Sequence, residues 1–350
     1  MSKKKIFDFC LGNPPYNSDF DEQGNQKKFA SPVYNIFMDA TFRVADKVEL
    51  ITPARFLFNA GATPEEWNLQ RLDDPHFKVL EYSADASKVF PSTDIKGGVA
   101  ITYRDETKDF GAIGVYTAFE EHGSILKKVK ELMTESMAPY ISGRGVYQLS
   151  EKALREHPEI ENIQSKGHKF DIGTGVFKIL NDVVFFEKKP KDNSTYIKIL
   201  GLTASKRNYQ YIREDYVKAP ESLYNYKVFI PKSNGSGAIG EVLSTPLVGE
   251  PLVGATETFI SIGNFKTKYE AESCFKYIKS KFTRVMLGVL KVTQDNTKEK
   301  WIYVPLQDFT PSSDIDWNKP IHEIDKQLYK KYGLDQHEIN FIETNVKEMK

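Results

Sequence analysis

Apolar residues follow strand-like and helix-like spacings in turn along the first 105 residues. Short apolar runs predict strands, whereas residues 33–46 and 63–74 space their apolar positions as amphipathic helices do. The predicted elements are, in chain order, strand 5–11, helix 33–46, a strand that opens at 47 and stops at Pro53, helix 63–74, strand 77–83 and strand 97–105. We expect the first strand to be buried. The alternation predicts half of a doubly wound α/β sheet, with its last two strands antiparallel.

The stretch LGNPPYN at 11–17 interrupts this pattern directly after the first apolar run. Two consecutive prolines exclude both a regular helix and a central strand there. The polar, glycine-bearing stretch 17–32 then predicts a mobile loop.

Beyond residue 120 the pattern changes twice. Residues 120–135 predict a charged helix, and 136–265 alternate short apolar runs with Gly, Asn, Ser and Pro, which favours a mostly β domain. From 267 onward the spacing predicts a long amphipathic helix, followed by two short helices separated at Gly333. We therefore expect three parts: a partial α/β catalytic domain (1–135), a mostly β domain (136–265) and a helical C-terminal segment (266–350).

Composition and charge narrow the class of protein. The chain has 350 residues, with 48 Lys plus Arg against 48 Asp plus Glu. Zero net charge argues against unspecific coating of nucleic acid but leaves room for a local basic cleft. Two distant cysteines and the lack of a long apolar segment predict a cytoplasmic protein without disulfides or a membrane partner.

The Asn-Pro-Pro-Tyr stretch has a specific chemical consequence. Each proline restrains the residue before it to extended backbone, so Asn13 and Pro14 have little freedom. The Asn13 side-chain oxygen and the Pro14 carbonyl are both acceptors, and the prolines offer no competing N–H. This arrangement suits a planar amino group with two hydrogens to donate, over which the Tyr16 ring can lie. We call Asn13, Pro14, Pro15 and Tyr16 the amine socket, and expect it at the ligand-binding end of the sheet.

These residues resemble a known family. FDFCLGNPPYN resembles motif IV of the amino-methyltransferases that modify adenine in DNA, and the segments 34–58 and 82–103 resemble their motifs V, VI and VIII. Residues 265–309 and 328–343 are similar to the C-terminal part of type IIG and type ISP restriction–modification enzymes. The resemblance is strong at both ends of the chain and weak across 140–255.

The resemblance implies a chemistry that agrees with the socket. An adenine extruded from double-stranded DNA donates its amine to Asn13 and Pro14 and receives a methyl group from S-adenosylmethionine beside Asn13. Tyr16 and Phe90 then stack on the two faces of the base. Asn-Pro-Pro-Tyr also occurs in enzymes that methylate glutamine in release factors, and in some RNA modifiers. A chance turn is a further interpretation of the same residues.

The cofactor half of the sheet precedes motif IV in this family, whereas twelve residues precede Asn13. We therefore expect cofactor binding to need a second polypeptide. The GxG in FDIGTGVFKIL (170–180) is either a displaced cofactor turn or a β-turn, and the second is favoured. The alternatives for the whole chain are a DNA-recognition module without catalysis and an inert remnant of a restriction–modification enzyme.

Cationic and amide side chains supply the candidate contacts to DNA. Beyond the socket these are Lys96, Arg144, Lys206, Arg207, Asn208, Arg213, Lys291 and Gln294. The stretch 203–214 fits a solvated hairpin equally well, and Arg144 between two glycines fits a hinge. The six histidines show no metal-ligand spacing, and no nuclease carboxylate pattern is present. We thus predict an incomplete adenine-specific DNA methyltransferase without a metal site.

Overall fold

The computed structural model describes residues 5–20, 26–93 and 95–349, without the side chains of residues 20 and 26–29. The chain divides into two compact units, Met1–Gly123 and Ser124–Lys350. Residues 21–25 of the predicted loop and Asp94 of the motif VIII segment lie outside the described residues. The two units are described separately below.

The first unit is built around one mixed sheet. Its elements are β1 (Phe7–Gly12), β2 (Asn17–Phe20), β3 (Gln26–Pro32), α1 (Tyr34–Val44), β4 (Ala45–Pro53), α2 (Glu65–Leu72), β5 (Phe77–Ser83) and β6 (Val99–Asp105). The main sheet has the order β1-β4-β6-β5, in which β1 runs parallel to β4 and β6 runs antiparallel to both β4 and β5. The predicted antiparallel pair β5–β6 is therefore confirmed.

Aromatic side chains form the core beneath this sheet. Phe56 and Phe77 are fully buried, and their ring centroids lie 6.3 Å apart. Phe56 also meets Trp67 of α2 at 5.3 Å, and Phe42 of α1 meets Phe77 at 6.4 Å. Such contacts add to the burial of large apolar areas. They fix the two helices against the sheet.

The first strand differs from the expected buried strand. Phe7, Phe9 and Leu11 alternate along β1 and are 54%, 49% and 71% exposed. β1 lies at the edge of the main sheet, where its only partner among the described strands is β4. The prediction of a buried strand was wrong for these residues because one edge and one face of β1 lack covering structure in the described part of the chain.

The predicted mobile loop 17–32 contains ordered structure. β2 and β3 pair antiparallel, from Asn17 opposite Pro32 to Phe20 opposite Gln26. The backbone of this polar stretch satisfies its hydrogen bonds in a hairpin, which the composition did not indicate. The hairpin connects the amine socket to α1.

The second unit begins within α3 and is first mostly β, then helical. Its elements are α3 (Glu120–Leu132), β7 (Gln148–Leu149), α4 (Glu151–Glu156), α5 (Ile160–Ile163), α6 (Val176–Ile179), β8 (Tyr196–Thr203), β9 (Lys206–Arg213), β10 (Val217–Lys218), β11 (Tyr226–Pro231), β12 (Leu247–Gly249), β13 (Val253–Ala255), β14 (Phe259–Phe265), α7 (Lys268–Lys279), α8 (Lys281–Leu287), α9 (Ile321–Lys331) and α10 (Gln336–Asn345). The larger sheets have the orders β13-β8-β9 and β12-β11-β14. This distribution confirms the predicted fold class, an α/β sheet followed by a mostly β region and a helical segment.

The C-terminal helices begin at clear capping signals. Thr267 and Glu270 form a capping box at the start of α7. The helix predicted to run on from there stops at Ser280, whose side chain accepts a hydrogen bond from the Thr283 N–H and caps α8 instead. Gly333, with φ of +61°, separates α9 from α10 as expected.

Candidate functional site

Sheet topology collects the candidate residues of the first unit at one edge. β1 and β4 are parallel, and β5 is antiparallel to the same neighbour as β4, so all three strands end at the same edge. Asn13 follows the end of β1, Arg55 follows the end of β4, and the loop carrying Phe90 and Lys96 follows β5. Ligands of open α/β sheets bind at such an edge.

The amine socket leaves the Asn13 side chain available at this edge. Asn13 is exposed and its side chain forms no hydrogen bond with the described residues, while Pro14 is half-buried. The chain is held just beyond the prolines, since the Val33 N–H donates to the Tyr16 carbonyl at 3.0 Å. A fixed backbone with an unengaged amide is suited to bind a donor from outside the chain.

The Tyr16 and Phe90 rings lie next to each other. Their centroids are 6.4 Å apart, with an interplanar angle of 71°. The Phe90 N–H donates to the Ala86 carbonyl at 2.8 Å, which holds the loop after β5 in place. The structure thus brings together the two rings that the resemblance assigns to opposite faces of a base, in an edge-on contact.

The Tyr16 hydroxyl is buried and has no hydrogen-bond partner among the described residues. Burial raises the pKa of Tyr16, so the hydroxyl stays protonated at neutral pH. An unsatisfied buried hydroxyl costs about 1–3 kcal/mol. Such a group is therefore a candidate to donate to a bound ligand.

A cavity of about 290 Å³ lies beside Tyr16. Its described walls are Tyr16, Asn17, Ala30, Pro32, Tyr34, Pro53, Arg55, Gly61, Ala62, Ile95 and Lys96. We call it the Arg55 cavity. Arg55 and Lys96 make its lining cationic, and Asn13, Pro14 and Phe90 do not belong to it. Lys96, the DNA contact predicted in the first unit, therefore lines the same cavity as Tyr16 of the amine socket.

The side chains predicted to contact DNA in the second unit are either exposed or engaged in contacts with other residues. Lys206, Arg144 and Gln294 are exposed. Lys206 follows the turn of the β8–β9 hairpin, where Ala204 and Ser205 adopt φ of 48° and 63°. These non-glycine residues in left-handed backbone give the hairpin a tight tip.

Arg207 and Asn208 are partly engaged within the same hairpin. The Arg207 guanidinium donates to the Thr245 carbonyl and lies 5.7 Å over the Phe259 ring. The Asn208 amide donates to Thr203 Oγ1 at 3.3 Å, and its oxygen accepts from the Tyr209 N–H at 2.8 Å. Both side chains are half-buried.

Arg213 and Lys291, two further predicted DNA contacts, form ion pairs within the second unit. The Arg213 guanidinium lies 2.6 Å from Asp215 and 3.2 Å from Glu156, which raise its pKa. Lys291 is 3% exposed and pairs with Glu241. Both charges are thus paired with carboxylates inside the second unit. Asp215 is two residues from Arg213, whereas Glu156 and Glu241 lie 57 and 50 residues from their partners, so the sequence alone did not reveal these two pairings.

Arg55 and Tyr34 were not among the predicted site residues. Arg55 comes two residues after the end of β4. Its position just after a parallel strand is the sequence signal that could have identified it as a site residue. Burial raises the pKa of Tyr34, while the nearby Arg55 charge lowers it. The described residues contain no group of three or more His, Cys, Asp or Glu side chains able to hold a metal. Within the same residues, no helix combines the length and apolar character needed to cross a membrane.

Comparison with known proteins gives a family match for the N-terminal residues, which include the amine socket. Residues 1–90 match the model of the Eco57I restriction-modification methylase family. No curated protein matches the chain. Among solved structures, the type IIG restriction endonuclease BpuSI is similar at 11% identity and a TM-score of 0.27, over 92% of this chain and 50% of that one.

A second solved structure is the type IIL restriction-modification enzyme MmeI in complex with DNA. It is similar at 9% identity and a TM-score of 0.41, over 96% of this chain and 56% of the MmeI chain. The chain thus spans about half the length of both solved structures. The residues that carry the amine socket are similar to a restriction-modification methylase.

Proposed function

We propose that the chain carries the target-base half of an adenine-specific DNA methyltransferase. The observation that carries this proposal is the position of the amine socket. It follows the carboxyl end of β1, next to Phe90, within the residues that match the methylase family model. An extruded base brings a planar amine to this edge, at a cost of a few kcal/mol for unstacking.

The socket holds and orients the amine. The two N–H groups of the adenine amine donate to the Asn13 side-chain oxygen and the Pro14 carbonyl. Accepting both hydrogens keeps lone-pair density on the nitrogen and directs it away from the socket, so positioning supplies most of the effect. S-adenosylmethionine, when bound, supplies an electrophilic methyl group. Asn13 is exposed beside an unpaired strand edge, so the described residues alone do not enclose that cofactor.

The exposed edge and face of β1 indicate that further structure packs against this strand. Phe7, Phe9 and Leu11 expose an apolar face of β1. The backbone edge of β1 opposite β4 has no partner among the described strands. Parallel strands in α/β sheets are normally paired and covered on both faces. We infer that a second polypeptide carrying the cofactor-binding half pairs with β1 and places the cofactor beside Asn13.

The second unit supplies contacts to double-stranded DNA in this proposal. The exposed Lys206 at the hairpin tip, together with Arg144 and Gln294, offers donors to phosphates and base edges. The enzyme then acts on DNA in the cytoplasm. The exposed edge of β1 equally suits a second candidate, a DNA-recognition module that works without methyl transfer.

The test is methylation in cells. The chain is expressed with the genes that flank it in a host that lacks adenine methylation, and N6-methyladenine in plasmid DNA is measured by mass spectrometry. The proposal predicts N6-methyladenine with the native chain and none with Asn13→Ala, while both chains bind duplex DNA alike. Duplex binding without any methylated base in the native case would instead support the recognition module.

A further inference from the structure

Arg55 is held at the edge of the sheet by its neighbours along the chain. It begins the 3₁₀ helix Arg55–Phe58, in which Phe56, Leu57 and Phe58 are all at most 5% exposed. The preceding Ala54 N–H donates to the Gly98 carbonyl at 3.0 Å. The backbone at Arg55 is thus fixed from both sides.

The Arg55 side chain also lies in a specific slot. Gly61 and Gly97 flank its aliphatic part with φ of +97° and +84°. A Cβ on Gly97 would approach Arg55 Cγ to 2.7 Å, and one on Gly61 would approach Arg55 Cβ to 3.2 Å. Its Nε donates to the Lys96 carbonyl. Two left-handed glycines and one carbonyl therefore direct the side chain into the cavity.

The described residues supply no counter-charge to the cation in this slot. No carboxylate of the described residues lies within ion-pair distance of Arg55, and no Asp or Glu is found among the described walls of the Arg55 cavity. Lys96 also lines the cavity. The buried Tyr16 hydroxyl has no acceptor among the described residues. The cavity therefore offers the Arg55 guanidinium and a hydroxyl donor, which together match an anionic oxygen ligand.

We propose that the Arg55 cavity binds a backbone phosphate of the DNA strand whose base enters the amine socket. This inference rests on the proposed function and names a contact that it requires. A guanidinium presents a planar fork that matches phosphate oxygens. Tyr16 belongs to both the socket and the cavity, so a nucleotide whose base lies on one side of the ring can place a phosphate on the other. Arg55 thereby positions the extruded nucleotide.

The experiment measures binding of single-stranded DNA by the full chain. The probes are a fluorescent thymidine 12-mer with one central adenine and the same strand with an abasic site in its place. Fluorescence anisotropy gives affinities across a range of NaCl concentrations. The variants are Arg55→Gln, Arg55→Lys and the matched control Arg43→Gln, which removes an exposed charge of the same unit outside the cavity.

Arg55→Gln is expected to weaken both strands by the same factor. Each lost phosphate contact lowers the slope of log K against log salt by about 0.7 for single strands. Arg55→Lys should keep the salt slope but bind both strands more weakly. Arg43→Gln should change neither the salt slope nor the affinity. An unchanged slope in Arg55→Gln, a loss confined to the adenine strand, or no binding of either strand by the native chain would overturn the phosphate site.

The same probes separate this inference from the proposed function. Asn13→Ala should reduce the preference for adenine over the abasic strand, because the contact to the amine is lost while stacking remains, and it should leave the salt slope intact. An Asn13 effect without an Arg55 effect supports the socket and overturns the phosphate site. An Arg55 effect without an Asn13 effect supports the phosphate site and contradicts the socket. If Arg55→Gln fails to fold, as judged by its melting temperature, Arg55→Lys carries the comparison.

Discussion

The rings of Tyr16 and Phe90 contact each other edge-on, with centroids 6.4 Å apart. A flat base stacked between two parallel rings needs about 7 Å, since carbon atoms of stacked groups approach to about 3.5 Å. At an interplanar angle of 71° the present contact leaves no such slot. Entry of a base therefore requires one ring to turn, and Phe90, on a half-buried position of a loop, is the ring that we expect to move.

We predict that Phe90→Ala weakens binding of a strand with an unpaired adenine and leaves the protein stable. Stacking on an aromatic side chain contributes about 1–3 kcal/mol per base, so the affinity should fall at least about fivefold. Anisotropy titrations with the adenine 12-mer measure the effect. Phe37→Ala, which removes a 44% exposed ring from α1, is the control and should bind as the native chain does. Equal losses in the two variants would contradict the stacking role.

The exposed face of β1 gives a prediction about assembly. Phe9→Lys places a charge at the centre of that face, so it should abolish methylation in the cellular assay. The stability of the isolated chain should change by less than about 0.5 kcal/mol, as for other surface substitutions. Leu132→Lys is the matched control, because Leu132 is 55% exposed in α3. Full methylation by Phe9→Lys would contradict packing of the cofactor-binding half against this face of β1.

The pH dependence of stability is predicted from Lys227. This side chain is fully buried, and its Nζ donates to the carbonyls of Leu223, Asn225 and Glu250 at 3.3, 3.0 and 2.9 Å. Burial lowers the pKa of Lys227 from 10.5 to about 7. The unfolded chain therefore holds more protons than the folded chain between pH 7 and 10.5. The free energy of unfolding should rise with pH in that window, by roughly 1.4 kcal/mol per unit.

Urea unfolding at pH 7, 8 and 9 tests this dependence. Lys227→Met removes the titrating group and should flatten the rise. Lys188→Met removes an exposed lysine and should keep it. A native chain whose stability falls or stays level from pH 7 to 9 would indicate that the three carbonyls keep Lys227 charged.

The capping box of α7 predicts a local contribution to stability. Thr267 Oγ1 accepts from the Glu270 N–H at 3.2 Å, and the Glu270 carboxylate accepts from the Thr267 N–H at 2.8 Å. Thr267→Ala should lower the free energy of unfolding by about 1 kcal/mol. Thr245→Ala, at an exposed loop position, should change it little. Denaturant midpoints of the two variants measure the difference. An unchanged midpoint in Thr267→Ala would show that the capping box does not contribute to stability.

Much of the first unit was predictable from local pattern. α1, β4, β5 and β6 each combine a clear apolar period with a turn signal, and each was found within a few residues of its predicted bounds. The position of the amine socket after β1 also followed from the sequence, because two consecutive prolines end a strand regardless of its tertiary contacts. The topology then places it beside residues distant in the chain.

Other features depend on contacts that no local pattern encodes. β1 is apolar, but its exposure depends on which strands pair with it. Residues 136–265 were expected to be mostly β, yet Val176–Ile179 within them is one turn of helix, with Val176 and Phe177 packed into the core of the second unit. The start of α2 also involves a side-chain contact that the apolar pattern does not encode. Its N-cap is Pro64, and the Thr63 hydroxyl just before it donates to Asn68 Oδ1 at 2.7 Å.

The candidate site shows the same division. Asn13, Tyr16 and Phe90 were found from motif chemistry and the resemblance. Arg55 was missed because its slot is formed by glycines 6 and 42 positions away and by the carbonyl of Lys96. Lys291 looked available in the sequence, but its pairing with Glu241 spans 50 residues.

The central claim is that Asn13 and Pro14 grip the amino group of an unpaired adenine. The most direct measurement compares the adenine 12-mer with one in which purine, which lacks the amine, replaces adenine. The native chain should bind the adenine strand more tightly by about 1 kcal/mol or more, or roughly fivefold. In Asn13→Ala the two strands should bind alike, whereas Asn193→Ala, an exposed control, should keep the difference. Equal affinity of the native chain for both strands would contradict the account.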